Sequence, residues 1–232
     1  MRWEMLDLSA NGSRNNGSTK QFIYQTLREK IFTLELEPGV KMSEKEIAEQ
    51  LKVSRTPVRE SFLQLAQEGL LDIYPQKGTV VSKIDLAHVE ESRFVRENIE
   101  KAVVRLACES LSEDDIFQLE TNLILQEKLV ERGNFLKQFE LDDEFHKIIF
   151  FGCGKQRTWE MLRQMNTHFN RLRLLRLTSP LDWSVIISQH KNILQLIKSN
   201  EPAKAEAVMS EHLRLVVIEK DFLKERFPTY FK

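Results

Sequence analysis

Arg55 and Arg59 lie four residues apart in the stretch Ser54-Arg55-Thr56-Pro57-Val58-Arg59-Glu60. In a helix that spacing puts both guanidinium groups on one face and turns Glu60 elsewhere. The helix dipole opposes two cations at a helix N-terminus, so they are poor choices for stability alone. They suit guanine edges or phosphate oxygens well. Ser54 and Thr56 add hydroxyl and backbone N–H groups that can reach phosphate. A second set of residues could do different chemistry. Asp142 and His146 are at i and i+4 and project from one helix face, while His190 and His212 fall in two later helical segments. One carboxylate and three imidazoles from three helices could converge inside a bundle on a divalent transition metal. Asp143 and Glu144, rotated by about 100° and 200° from Asp142, would not join them. Taken singly, each of these groups has a plainer reading: arginines on a solvated surface, histidines satisfied in a core. The 22-residue spacing of His146, His168, His190 and His212 comes with no repeat around it.

The chain that must position these groups has 232 residues, 41% apolar and 30% charged, which is the balance of a globular protein with a sizeable core. Its apolar runs, such as Ile148 to Phe151 and Leu215 to Ile218, are far shorter than the roughly 18 residues of a membrane span. Nothing in the first 20 residues reads as a secretory signal, and Cys108 and Cys153 offer no disulfide framework. The expectation is a cytoplasmic protein that makes no use of the membrane. Net charge is −1, with ten Lys and Arg against nine Asp and Glu over 20–84, and 22 against 24 over 85–232. A case for nucleic acid therefore rests on where the charges lie.

Residues 9–19, SANGSRNNGST, have almost no apolar side chain and read as part of a flexible arm over 1–19. From Gln21 a helical pattern of Phe22, Ile23, Leu27 and Ile31 runs up to Pro38-Gly39. A second helix opens at the capping box Ser43-Glu44-Lys45-Glu46 and runs to about Leu51. A third opens at Ser54 and ends near Gly69. Residues 70–83 are the one β segment: two β-branched runs flank the turn Pro75-Gln76-Lys77-Gly78 and predict a small hairpin. After Asp85 everything reads as helix, near 86–110, 112–132, 134–151, 155–177, 182–199 and 202–225, with starts signalled at Ser112, Ser179-Pro180 and Pro202. The fold class is mainly α. A winged helix-turn-helix with a small β-hairpin spans 20–84, and an all-α antiparallel helical bundle spans 85–232. In such a winged helix the second helix of the pair lies in the major groove, with its N-terminal residues nearest the base edges.

The first half resembles the GntR family of bacterial transcription regulators. The resemblance rests on Pro38-Gly39, Ser43-Glu44, Ile47-Ala48, Leu51, the run Val53-Ser54-Arg55-Thr56-Pro57-Val58-Arg59-Glu60, Leu65, Glu68-Gly69-Leu70 and Gly78. It implies DNA contacts from Lys45, Arg55, Thr56 and Arg59, with Ser54 beside them, and a wing tip near Lys77 and Gly78 that approaches the minor groove. One departure is Lys52, where the family usually has Gly.

The second half resembles the ligand-binding domain of the FadR branch of that family, the FCD variety. The marks are Arg96-x-x-Ile99-Glu100, Asp142-x-x-Phe145-His146, His190 with Ile193, and His212-Leu213. The resemblance implies that Asp142, His146, His190 and His212 hold a divalent metal, commonly zinc or nickel, which helps to bind a small organic acid. His88 and His168 match no ligand position. Arg96 suits an effector carboxylate by its fork-shaped donors, with an i,i+4 salt bridge to Glu100 as the equal alternative. Asn166 and Arg173, read as sharing a face of one helix, are weaker effector candidates. Lys155 stands where the family often carries Asn.

The leading expectation is a ligand-responsive regulator, a repressor, that binds a palindromic double-stranded DNA operator as a homodimer and senses a carboxylate effector. The alternative is a metal-dependent enzyme on the helical bundle, with the winged helix as a docking module. Against it stand the lack of paired Glu-x-x-His motifs and of any phosphate loop or nucleophile motif.

Overall fold

A computed structural model describes residues 19–179 and 182–232. All but Thr19 of the arm expected over 1–19, and Pro180 of the expected helix start, lie outside the described residues. The chain divides into two compact units, Met1–Leu86 with Arg226–Lys232, and Ala87–Glu225.

In the first unit, α1 (Thr19–Phe32), α2 (Glu44–Leu51) and α3 (Arg55–Gln67) pack around Ile23, Leu27, Ile31, Ile47, Val58 and Phe62. The first helix stops at Phe32, short of the expected end before Pro38. Leu34 adopts a left-handed conformation at φ 62°, and the chain behind it turns Leu36 into the core. Ser43 caps α2 by accepting the Glu46 N–H at 3.4 Å. At the other end Lys52 is left-handed, with φ 53° and ψ 45°. There Val53 N–H bonds Ala48 O at 3.0 Å and Lys52 N–H bonds Glu49 O at 3.2 Å, the paired bonds of a Schellman motif.

The sheet has three strands where the sequence predicts two. The hairpin of β2 (Leu71–Tyr74) and β3 (Gly78–Val81) is joined by β1 (Lys41–Met42) on the far edge of β3, all antiparallel. Two residues are too few to show a period of two, so β1 leaves no pattern in the sequence. The wing turns through Gln76 at φ 61° and Gly78 at φ 101°, and Lys77 N–H closes it on Tyr74 O at 3.1 Å. Residues 226–232 belong with this unit, although the boundary read from the sequence assigns all of 85–232 to the helical half. The cause is a parallel bridge of Ile84 to Phe231, which buries Phe231.

The second unit is wholly helical among its described residues. It comprises α4 (Leu86–Ser110), α5 (Glu113–Arg132), α6 (Phe135–Gly152), α7 (Gln156–Met165), α8 (Thr167–Leu177), α9 (Ser184–Lys198), α10 (Pro202–Ile218) and α11 (Lys220–Arg226). A full capping box at Ser112 and Asp115 starts α5. Val104, Leu119, Phe145, Trp159, Ile193 and Met209 lie in its core. The expected single helix over 155–177 is two, broken at Asn166. The Ser92 hydroxyl donates to Met165 O at 2.9 Å there, an outside partner for a carbonyl at the end of α7. The expected helix over 202–225 is likewise divided at Glu219, whose side chain is drawn to Arg176. Among the described residues no helix is long and apolar enough to cross a membrane.

Candidate metal centre and nucleic-acid interface

The period of apolar residues in α6, Phe145, Ile148 and Ile149, turns Asp142 and His146 inward on the same face. Helices α9 and α10 do the same for His190 and His212. The result is a buried group in which each of the four residues offers one ligand atom, all within 4.8 Å of one another. His212 Nε2 lies 3.1 Å from His146 Nε2 and 3.3 Å from His190 Nε2, and His190 Nε2 is 3.8 Å from Asp142 Oδ1.

The other ring nitrogens decide what this arrangement can hold. Nδ1 of His146 is 2.5 Å from Glu100 Oε2, Nδ1 of His190 is 3.0 Å from Gln126 Oε1, and Nδ1 of His212 is 3.2 Å from Gln189 Oε1. The Gln126 amide is oriented by its Nε2, which donates to Asn122 Oδ1 at 2.6 Å. A neutral imidazole carries one N–H. With an oxygen facing each Nδ1, that hydrogen belongs on Nδ1, and the three Nε2 lone pairs face one another with no donor between them. Protonation of His190 or His212 does not resolve this. Burial pushes His190 down to about 3 against the pull of Asp142, and burial with the neighbouring imidazoles pushes His212 well below its usual value. Asp142 is a carboxylate. Burial would raise it, but Arg173 and then the imidazoles hold it well below the ordinary range. Three lone pairs and an anionic oxygen at this spacing fit a divalent metal, with an oxygen partner for each ligating histidine.

Glu100 also takes Arg96, so one buried carboxylate links the arginine and His146. Burial raises Glu100, and Arg96 and His146 reverse this to hold it at about 2. Arg173 pairs with Asp142, and it lies 3.5 Å from Asp143 and over the Phe139 ring at 4.7 Å. Beside the cluster opens a pocket lined by Arg96, Asp142, Arg173, Arg176, Trp183 and His212 among others. Asn166 does not line it. It sits at the break between α7 and α8, as the N-cap of the helix that carries Arg173. Reading the sequence missed Gln126, Gln189, Arg176 and Trp183, and saw in Glu100 only a partner for Arg96. Glu100 carries a one-turn spacing from Arg96; the two glutamines carry no signal at all. His88 and His168 lie together, ring centroids 4.9 Å apart, and belong to no metal-ligand group among the described residues.

In the first unit Ser54, Arg55, Thr56 and Arg59 stand exposed at the start of α3, while Val58, Ser61, Phe62 and Leu65 are buried behind them. Ser54 occupies the N-cap without using its hydroxyl there. Lys45 is exposed on α2, 3.9 Å from Glu49, and Lys77 and Gly78 are exposed at the wing tip. Among the described residues, neither Arg55 nor Arg59 has an ion-pair partner, so pairing with a nearby acid does not account for them.

Residues 19–81 match the family described as bacterial regulatory proteins, gntR family, and residues 91–215 match the FCD domain. The chain is 37% identical over 170 residues to the HTH-type transcriptional repressor RspR of Escherichia coli (strain K12), covering 73% of this chain and 75% of that protein. It is 33% identical over 148 residues to the Nta operon transcriptional regulator of Aminobacter aminovorans, covering 63% and 66%. Among solved structures, it is similar to Escherichia coli McbR/YncC, with TM-score 0.71 and 22% identity over 91% of this chain and 99% of that one. A GntR transcriptional regulator from Rhodococcus sp. RHA1 gives TM-score 0.69 at 18% identity, over 92% and 100%.

Proposed function

We propose that this chain, which belongs to the GntR family of bacterial regulatory proteins and carries an FCD domain, is a repressor that binds a palindromic operator as a homodimer. It senses a small organic acid at a metal in its helical domain. Family membership makes it a DNA-binding transcription regulator and not an enzyme, so the metal-dependent enzyme weighed above is not favoured. Work on operator DNA belongs in the cytoplasm.

The observation that carries the sensing half is the convergence of three Nε2 lone pairs and Asp142, with every Nδ1 facing an oxygen. Asp142, His146, His190 and His212 would hold zinc or nickel; such a donor set accepts several ions, and availability selects among them. The metal, when bound, supplies a positive centre for a carboxylate. Arg96 and Arg173 flank the cavity and orient the acid, their charges already balanced by Glu100 and Asp142. For DNA, the support is the unpaired Arg55 and Arg59 at the exposed start of α3. In this reading they reach base edges, while Ser54, Thr56 and Lys45 engage the backbone and the wing residues Lys77 and Gly78 approach the minor groove. One reading head covers few base pairs, which is the reason for a two-fold dimer. The acid changes operator affinity by as much as it prefers one arrangement of the dimer over the other.

The test is selection of bound fragments from a genomic DNA pool at stated salt, with wild type, Arg55→Ala and Arg59→Ala. A short palindrome enriched by wild type and lost in both variants is the expected result. No enriched site, with or without zinc, would overturn the DNA half of the reading.

A further inference from the structure

Besides Arg96 Nη2, two further buried donors among the cavity's lining residues have no partner, and neither belongs to the metal cluster. Arg176 is held by Glu219, which accepts from both its Nε and, at 3.1 Å, its Nη2; Nη2 also donates to Asp182 O at 3.2 Å. Its Nη1 is buried and bonded to nothing. The indole Nε1 of Trp183 is buried and bonded to nothing as well. Both residues line the cavity, and the guanidinium carbon lies 5.8 Å from the Trp183 ring centroid. Buried donors without partners are costly, and two of them lining one cavity call for a shared acceptor.

The charge at this point argues for what kind of acceptor. Glu219 already neutralises Arg176 through two hydrogen bonds, so a second carboxylate would meet Glu219 as a like charge. A hydroxyl or carbonyl oxygen would accept from Nη1 and Nε1 without that repulsion. Arg173, bound to Asp142 beside the metal ligands, and Arg176 are three residues apart on α8, a rise of about 4.5 Å.

We propose that Arg176 and Trp183 select the effector, a short monocarboxylate that carries an uncharged acceptor oxygen farther along its chain. This rests on the reading of the cavity as the effector site. The carboxylate lies at the Arg96 and metal end, and the distal oxygen accepts from Nη1 and Nε1.

The experiment is calorimetric titration of the zinc-loaded full chain with three sets of acids. These are butanoate, pentanoate and hexanoate; their ω-hydroxy counterparts; and succinate, glutarate and adipate. In at least one length the hydroxy acid is expected to bind about tenfold tighter than the plain acid, and tighter than the dicarboxylate. In Arg176→Lys, which keeps a cation for Glu219 but lacks Nη1, the ratio of hydroxy to plain acid should fall to near one. Trp183→Phe, which keeps the ring and removes Nε1, should reduce that ratio by several-fold and serves should the lysine variant fail to fold. A hydroxy acid no tighter than its parent, a dicarboxylate as the tightest ligand, or a ratio unmoved by both variants would overturn the proposal while leaving the cavity an acid site. Failure of every acid to bind would overturn the effector reading along with it.

Discussion

Glu100 accepts the Nδ1–H of His146 at 2.5 Å in the interior of the helical unit, and this contact sets which nitrogen of that ring is free. The same carboxylate holds Arg96, a wall of the cavity. One side chain thus ties a proposed metal ligand to a proposed effector group. Glu100→Gln should lower zinc affinity by about ten- to a hundredfold, read by competition with a chromogenic chelator. It should also lower the melting temperature, because Arg96 loses its buried counter-charge. Unchanged zinc affinity would mean that His146 needs no orienting partner.

Metal removal tests the cluster as a whole. Three lone pairs facing one another with no donor between them favour the unfolded chain until a cation joins them. Dialysis against a strong chelator should lower the melting temperature of the helical unit, and stoichiometric zinc should restore it. Asp142→Ala should abolish that recovery. A melting curve indifferent to both chelator and zinc would show that the four residues pack without a metal.

Much of this was legible in the residues. Asp142 and His146 announce a shared face by their spacing, and the run from Val53 to Glu60 announces an exposed helix start. What the sequence withheld has physical causes. Gln126 and Gln189 reach His190 and His212 from positions where any polar residue would read as surface. The break at Asn166 involves a distant hydroxyl, Ser92, that no local pattern contains. The strand Lys41–Met42 and the bridge of Ile84 to Phe231 are too short to be periodic.

Lys52 tests the turn of the reading head. It holds a left-handed conformation at φ 53°, which costs a side-chain-bearing residue about 1 kcal/mol relative to glycine. Lys52→Gly should therefore stabilise the first unit by about 0.5–1 kcal/mol in denaturant unfolding, the lower figure allowing for the entropy of glycine in the unfolded chain. Zinc affinity should not move. A loss of stability would mean that the Lys52 side chain contributes more than its backbone costs.

Acid should weaken the helical unit through Glu97. Burial would raise this carboxyl, but Arg214, Ser210 and Arg93 hold it below its ordinary value of 4.5. A folded value below the unfolded one means stabilisation in full above the unfolded value, lost as pH falls through the folded one. The melting temperature should drop on acidification below 4.5, and more gently in Glu97→Gln, which starts lower. Parallel curves for the two proteins would remove Glu97 from the acid response.

The proposed reading head and the proposed metal-held acid site meet in the affinity for operator DNA. The decisive measurement is the dissociation constant of zinc-loaded protein for its selected operator, at fixed salt, with and without a saturating amount of the acid that binds most tightly in calorimetry. A shift of about fivefold or more, lost in Asp142→Ala, is the predicted result. Equal affinity in the two conditions would contradict it.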